Sequence, residues 1–332
     1  MSGKDARQRT LTMKKIDRET WDRLWPSARC TNLLQSWEYG DAKTTGNNWQ
    51  AARYVVEDEF GNPKAVAQVL FLALPVIGGI ARINRGPILL DGVLDDFQSV
   101  EVELQVFDLI LYEARLRKWW CLFVAPELKA EDSWRWRLRS MGFRFRNKAP
   151  WASSRLSLVP SEDALLANLN GKWRNLLRKA QKSNLLVRKS KNDTPELEML
   201  VKRYFEMQQE KKFSGVSELL LRQLCKQQGP HWRFDYYLTY DPSSSSEEYV
   251  GVLVSIIHGN SATYFIGSTN ATGRKLNANY MMLWQAILDA KAYGCRWFDL
   301  GGLNEHTPPG VAHFKRGLNG DSYTLVGESV FF

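Results

Sequence analysis

Apolar and polar positions alternate along this chain in blocks that recur in the same order. Residues 50–75, QAARYVVEDEFGNPKAVAQVLFLALP, place two runs rich in Val, Ala and Leu around a polar stretch with Gly and Pro, which predicts a hairpin. ARINRGPIL (81–89) continues as a strand, residues 97–118 carry apolar positions at helical spacing, and CLFVAP (121–126) is a further strand. The pattern then repeats. Residues 151–158 read as a strand leading into the second block, where WRFDYYLTY (232–240), EYVGVLVSII (248–257) and ATYFIGST (262–269) are strands, with the serines at 243–246 in a hairpin loop. Residues 278–293 predict a helix with Leu283, Ile287 and Ala290 on its core face and Gly294 as its C-terminal cap, and RWFDLGG (296–302) closes the block as a strand. A duplicated mixed α/β unit is the fold class this order predicts.

Composition fits that organisation. At 332 residues the chain exceeds what one hydrophobic core usually serves, and 44% hydrophobic residues can fill two. The longest apolar run, 66–80, is interrupted by Gln68 and Pro75 and is too short to span a bilayer, and the first ten residues are polar. A cytoplasmic protein without stable membrane insertion is expected. Cys30, Cys121, Cys225 and Cys295 are scattered, with no C-x-x-C pair and no nearby histidine cluster, which points to buried thiols rather than a disulfide framework or a metal site.

The net charge of +9 is concentrated. Lys172, Arg174, Arg178, Lys179, Lys182, Arg188, Lys189 and Lys191 follow one another without an acidic residue. Ser161 predicts the start of a helix with an apolar stripe of Leu165, Leu169, Trp173 and Leu176, and with Arg174, Arg178 and Lys182 along one edge. Like charges at i, i+4, i+8 repel, so a polyanionic partner gives the edge a purpose. The bland alternative is a solvated face. A second acid-free group, Arg135, Arg137, Arg139, Arg144, Arg146 and Lys148, is interleaved with Trp134 and Trp136, whose rings can equally pack inward while the arginines stay wet.

Catalytic signatures are few. No G-x-S-x-G, Walker or H-E-x-x-H pattern occurs, and His231, His258, His306 and His313 are isolated. One stretch stands apart: FDLGGLNEHTPPGVAHFKRGLNG (298–320) joins a strand end, a glycine pair, a polar loop and the pair Phe314-Lys315. It brings a cation beside a strand end.

Together with LLQSWEYGDAK (33–43), RINRGPIL (82–89), KWRNLLRKAQKS (172–183), YFIGST (264–269) and NANYMMLWQAILDAKAYG (277–294), that stretch resembles the FemABX family, aminoacyltransferases that use aminoacyl-tRNA. The resemblance spans nearly the whole chain. It implies two tandem GNAT-like (acetyltransferase-like) domains, one of residues 1–152 completed by a C-terminal strand at 324–332 and one of residues 153–323. It also implies a monomer that needs no cofactor, with aminoacyl-tRNA as co-substrate and an amine of a nucleotide-linked or lipid-linked peptidoglycan precursor as acceptor. Carried over by position, Lys315 stabilises the oxyanion or the tRNA terminus and Phe314 shapes the pocket. Tyr264 lines the acceptor channel and Lys43 holds acceptor phosphate. Arg174, Arg178 and Lys182 are the candidate tRNA or phosphate contacts.

The chain also departs from the family pattern. The arginine often found after the phenylalanine of EKKFSGVSELLLRQL is replaced where Val216 or Ser217 stands, so diphosphate contact falls to Lys211, Lys212 or Arg222. Ala125 precedes Pro126 where an acid is common, with Glu127 after it, and no general base is assigned. The long helical hairpin that some members insert is missing, as in the short members that add single residues. Two other functions remain open: an acyl-CoA-dependent N-acyltransferase acting on a sugar or natural-product amine, for which GSTNATGRKLN (267–277) is a partial coenzyme A loop, and a non-catalytic RNA-binding protein.

Overall fold

The computed structural model describes residues 11–74, 78–91, 96–191, 195–211, 215–243 and 249–332. The chain divides into two compact units, one of residues 1–30, 48–148 and 326–332, the other of residues 31–47 and 149–325. Residues 31–47, expected with the first domain, are therefore part of the second. Leu33 and Ala42 join that unit's core beside Leu221 and Leu224, which is the packing that holds them there.

The first unit is built on one mixed sheet. Its strands are β1 (Thr12–Lys15), β2 (Gln50–Glu57), β3 (Pro63–Leu74), β4 (Gly78–Asn84), β5 (Ile88–Leu89), β6 (Trp119–Ala125), β7 (Arg144–Phe145) and β15 (Ser329–Phe331). They lie in the order β1-β2-β3-β4-β6-β15-β7, with β5 on β3, and of these described pairs only β4 and β6 run parallel. Helices α1 (Arg18–Leu24), α3 (Asp96–Leu116) and α4 (Asp132–Ser140) complete it. Phe107, Ile110, Leu111 and Ala114 recur at helical spacing on α3 and bury against Val69, Ile83, Leu122 and Val124 of the sheet.

The second unit repeats the plan. Its strands are β8 (Ala152–Ser157), β9 (Leu186–Lys191), β10 (Trp232–Tyr240), β11 (Tyr249–His258), β12 (Ser261–Thr269), β13 (Trp297–Asp299) and β14 (Asp321–Thr324), in the order β9-β10-β11-β12-β13-β8-β14. Again one described pair, β12 and β13, is parallel. Position by position, β9 to β12 match β1 to β4, β13 matches β6, and β14 matches β7. The sixth place differs in source: β8 precedes its unit's other strands in the chain, whereas β15 comes from the far end of the protein.

Helices cover both faces of this second sheet. Leu253 and Ile257 point to a core shared with α5 (Glu162–Asn168), α6 (Gly171–Lys182), α10 (Ala278–Ala292) and α11 (Pro309–Arg316). Val252, Val254 and Ile256 point the other way, to α2 (Trp37–Thr44), α7 (Pro195–Lys211) and α8 (Glu218–Lys226). A short helix, α9 (Ala271–Lys275), precedes α10. Gly294 has φ of +96° and its N–H donates to Lys291, so the predicted cap forms. The serine loop is described only to Ser243; residues 244–248 lie outside the described residues.

Three sequence expectations change in the fold. The helix beginning after Ser161 is two helices, because Leu169 and Asn170 are extended and the Asn170 side chain accepts from the Lys172 N–H at 3.0 Å, starting α6 afresh. The restart turns Leu177 and Ala180 inward with Trp173, and Leu176 only partly. The arginine and tryptophan group is acid-free only in sequence: Glu328 of β15 pairs with Arg82 and Arg146 and lies 3.9 Å from Lys148. Trp134 is buried there, while Trp136 is 69% exposed.

Candidate functional site

Lys315 is the one buried lysine among the described residues, 6% exposed on α11. Pro308 and Pro309 hid this helix from the sequence pattern, yet a proline in the first turn suits a helix start, since the N–H donor it lacks has no intrahelical acceptor there. The Lys315 Nζ donates to the Gly302 carbonyl at 3.0 Å and sits 5.2 Å from the centre of the Tyr264 ring. Burial lowers its pKa to about 8, with the charge of Asp299 acting in the opposite direction. A cation is thus held in a desolvated place at the end of β13.

The supports of that place come from several elements. Asp299 ends β13, and its carboxylate accepts from the Gly301 N–H at 2.8 Å, from the Ser153 hydroxyl of β8 at 2.6 Å and from the Tyr323 hydroxyl of β14. Gly301 turns the chain with φ of +69°, and a Cβ there would lie 3.0 Å from the Tyr264 carbonyl and 3.5 Å from Lys315 Nζ. Tyr264 reaches this side because Phe265 is an extra residue in β12: Ser255 pairs with Tyr264 and Val254 with Ile266. Its hydroxyl end is buried against Gly267, where a Cβ would fall 1.8 Å from the oxygen, and burial pushes its pKa up to about 12. Asp299, Ser153 and Tyr323 were missed in the sequence; the available signal was an acid closing the otherwise apolar segment Trp297–Asp299.

Phe314 packs in a three-ring cluster, 6.0 Å from Trp173 of α6 and 5.0 Å from Tyr280 of α10. The Trp173 indole N–H donates to the Phe314 carbonyl at 3.0 Å, which fixes α11 to α6. Gly317 permits the approach, since a Cβ there would lie 2.6 Å from the Trp173 ring.

The other sequence candidates fall elsewhere. Lys43 is on α2 and Arg222 on α8, helices on the opposite sheet face from α6 and α11. The Arg222 guanidinium is occupied, with two bonds to Glu198 and one to Glu218 at 2.8 Å. Lys211 ends α7, with its side chain outside the described residues, as is all of Lys212. Arg174 donates to the Ala167 carbonyl at 2.9 Å, tying it to the end of α5, whereas Arg178 and Lys182 are exposed. Glu127 forms a two-bond pair with Arg85 at 2.5 and 2.7 Å.

The stretch that resembles a coenzyme A loop is folded onto itself. Asn270 caps α9 by accepting from the Gly273 N–H at 2.8 Å, and Gly273 is pressed against β11, where a Cβ would lie 2.0 Å from the Val250 carbonyl. The Asn270, Gly273 and Arg274 N–H groups of the turn are engaged, by the Val250 carbonyl, the Asn270 side chain and the Asn270 carbonyl in turn.

Comparison with known proteins places this geometry. Residues 167–316 match the acetyltransferase (GNAT) domain family. Among solved structures, FemX superposes with a TM-score of 0.77 at 16% identity, covering 97% of each chain. The C-terminal DUF2156 domain of a putative lysylphosphatidylglycerol synthetase from Agrobacterium fabrum gives 0.54 at 10% identity, over 89% of this chain and 88% of that one. A tandem GNAT protein from the clavulanic acid biosynthesis pathway gives 0.52 at 12%, over 96% and 98%. No curated protein sequence matches. The chain has the FemX fold along its length, a mixed α/β architecture of two GNAT-like units.

Proposed function

We propose that this chain is an aminoacyltransferase that takes an amino acid from aminoacyl-tRNA and forms an amide with an amine of a peptidoglycan precursor. The observation that carries the reading is the buried Lys315 ammonium at the end of β13, anchored by the Gly302 carbonyl and backed by Asp299. Aminolysis of an ester needs the amine oriented against the carbonyl and the tetrahedral oxyanion stabilised. The amine nitrogen bonds to the ester carbon, charge gathers on the carbonyl oxygen beside Lys315, and collapse breaks the bond to the ribose oxygen. The proton lost by the amine ends on that hydroxyl. The Tyr264 ring lies over the cation, excluding water that would screen it, and Phe314 packs with Trp173 in the neighbouring ring cluster. Exposed Arg178 and Lys182 on α6 supply charge for the RNA backbone. For the acceptor, Lys43 remains a candidate phosphate contact, while Arg222 is already neutralised by Glu198 and Glu218.

The match of residues 167–316 to the acetyltransferase domain family favours a second reading, acyl transfer from coenzyme A. The self-capped Asn270–Gly273 turn counts against it. A non-catalytic RNA-binding protein would leave the buried cation without a role. Purified protein given radiolabelled aminoacyl-tRNA and a precursor amine should transfer label, and ribonuclease should abolish the transfer. Transfer that survives ribonuclease and requires acetyl-CoA would replace the first reading with the second.

A further inference from the structure

The first turn of α6 and the outer side of α11 enclose a cavity of about 110 Å³, whose lining includes Asn170, Lys172, Trp173, Tyr280, His313 and Arg316. Among the described residues no carboxylate lines it. Lys172, His313 and Arg316 are exposed, and among the described residues their side chains make no ion pair or hydrogen bond, unlike Arg174 beside them. The back wall is held by the Trp173 indole, which is bonded to the Phe314 carbonyl and packs against the Gly317 backbone. Three basic side chains around one hollow, with no carboxylate among its described lining residues, make it a place where an anion gains and a cation does not.

Size and position narrow the anion. Pockets for drug-sized molecules run from roughly 300 to 1,000 Å³, so this one suits a single phosphate rather than a whole nucleotide. His313 and Arg316 lie on the same short helix as Lys315 but on its outer side, and a helix with its side chains is about 10–12 Å across. A stacked strand carries a phosphate about every 3.4 Å, so an RNA whose acylated end lies at Lys315 brings a phosphate here within a few nucleotides. We propose that this cavity binds a backbone phosphate of the RNA donor close to its acylated 3′ end, gripped by Lys172 and Arg316 with His313 at the rim. The inference rests on the aminoacyl-tRNA reading above and adds a site to it.

The double variant K172Q/R316Q tests it, since both positions are exposed and its melting temperature should equal that of the wild type. Binding by fluorescence anisotropy is followed over a salt series with an RNA hairpin bearing a single-stranded 3′ tail, the same hairpin with a blunt end, and uridine diphosphate. The variant should bind the tailed hairpin more weakly, with a salt slope smaller by about 0.7 for each phosphate that it no longer neutralises, and should match the wild type on the blunt hairpin and the diphosphate. Equal weakening on both hairpins, weakening on the diphosphate alone, or no change overturns the proposal. Wild-type protein that binds neither RNA sinks the donor reading and this site with it. RNA-dependent transfer by the variant at wild-type KM removes the site alone.

Discussion

Lys315 is a cation kept where a cation is costly, and its two expected signatures oppose each other. Lys315→Ala should leave the protein folded and lower turnover about 100- to 1,000-fold, the effect of losing one preorganised oxyanion donor. If the charged form acts, wild-type rates hold below pH 8 and fall as pH rises through the lysine's value of about 8, and the residual rate of Lys315→Ala lacks that fall. Stability moves the other way. Between about 8 and 10.5 the unfolded chain keeps a proton that the folded chain has shed, so unfolding free energy rises with pH across that window. Asp299 raises the folded value, so Asp299→Asn should shift the falling limb of the rate profile to lower pH while circular dichroism reports an unchanged fold. A limb that stays in place would show that Lys315 does not titrate in catalysis.

On the level of helices and strands, α6 divides its cations between structure and ligand. Arg178→Gln with Lys182→Gln should reduce the salt slope of RNA binding by about 1.4 for a single strand, whereas Arg174→Gln should lower stability by about 1 kcal/mol and leave the slope alone, because that arginine holds α5. Gly317→Ala should lower stability by about 1–3 kcal/mol in urea unfolding, as the new methyl displaces Trp173 from its place against α11. What was legible in the sequence follows the same division. Residues 232–240 and the helix from 278 were read within a residue or two, because alternation, helical spacing and Gly294 are local signals. The break at Asn170, the extra residue at Phe265 and the burial of Lys315 were not, because each depends on a partner from elsewhere: Gly317 accepting from the Asn170 N–H, β11 across from β12, and Tyr264 over the lysine. Glu328 is the plainest instance, an acid in sequence far from the Arg82 and Arg146 that it pairs with in space.

Each of the two units is assembled from separated stretches of the chain. Residues 31–47 belong to the second unit and residues 326–332 to the first, so neither unit is a contiguous stretch. β15 has β6 on one side and β7 on the other, and Val326 donates to the Leu128 carbonyl at 2.8 Å. Deleting 326–332 should leave β6 and β7 as open edges, making the first unit sensitive to limited proteolysis while fragments of the second stay protected. Equal protection of both units would show that β15 is dispensable. Time enters here as well. Protein synthesis runs at about 5–20 residues per second, so the 178 positions from Lys148 to Val326 take roughly 10–35 s to appear. Throughout that interval the ribosome has delivered nearly all of the first unit and none of the strand that closes it, so the part of the protein made first must be the last to finish folding.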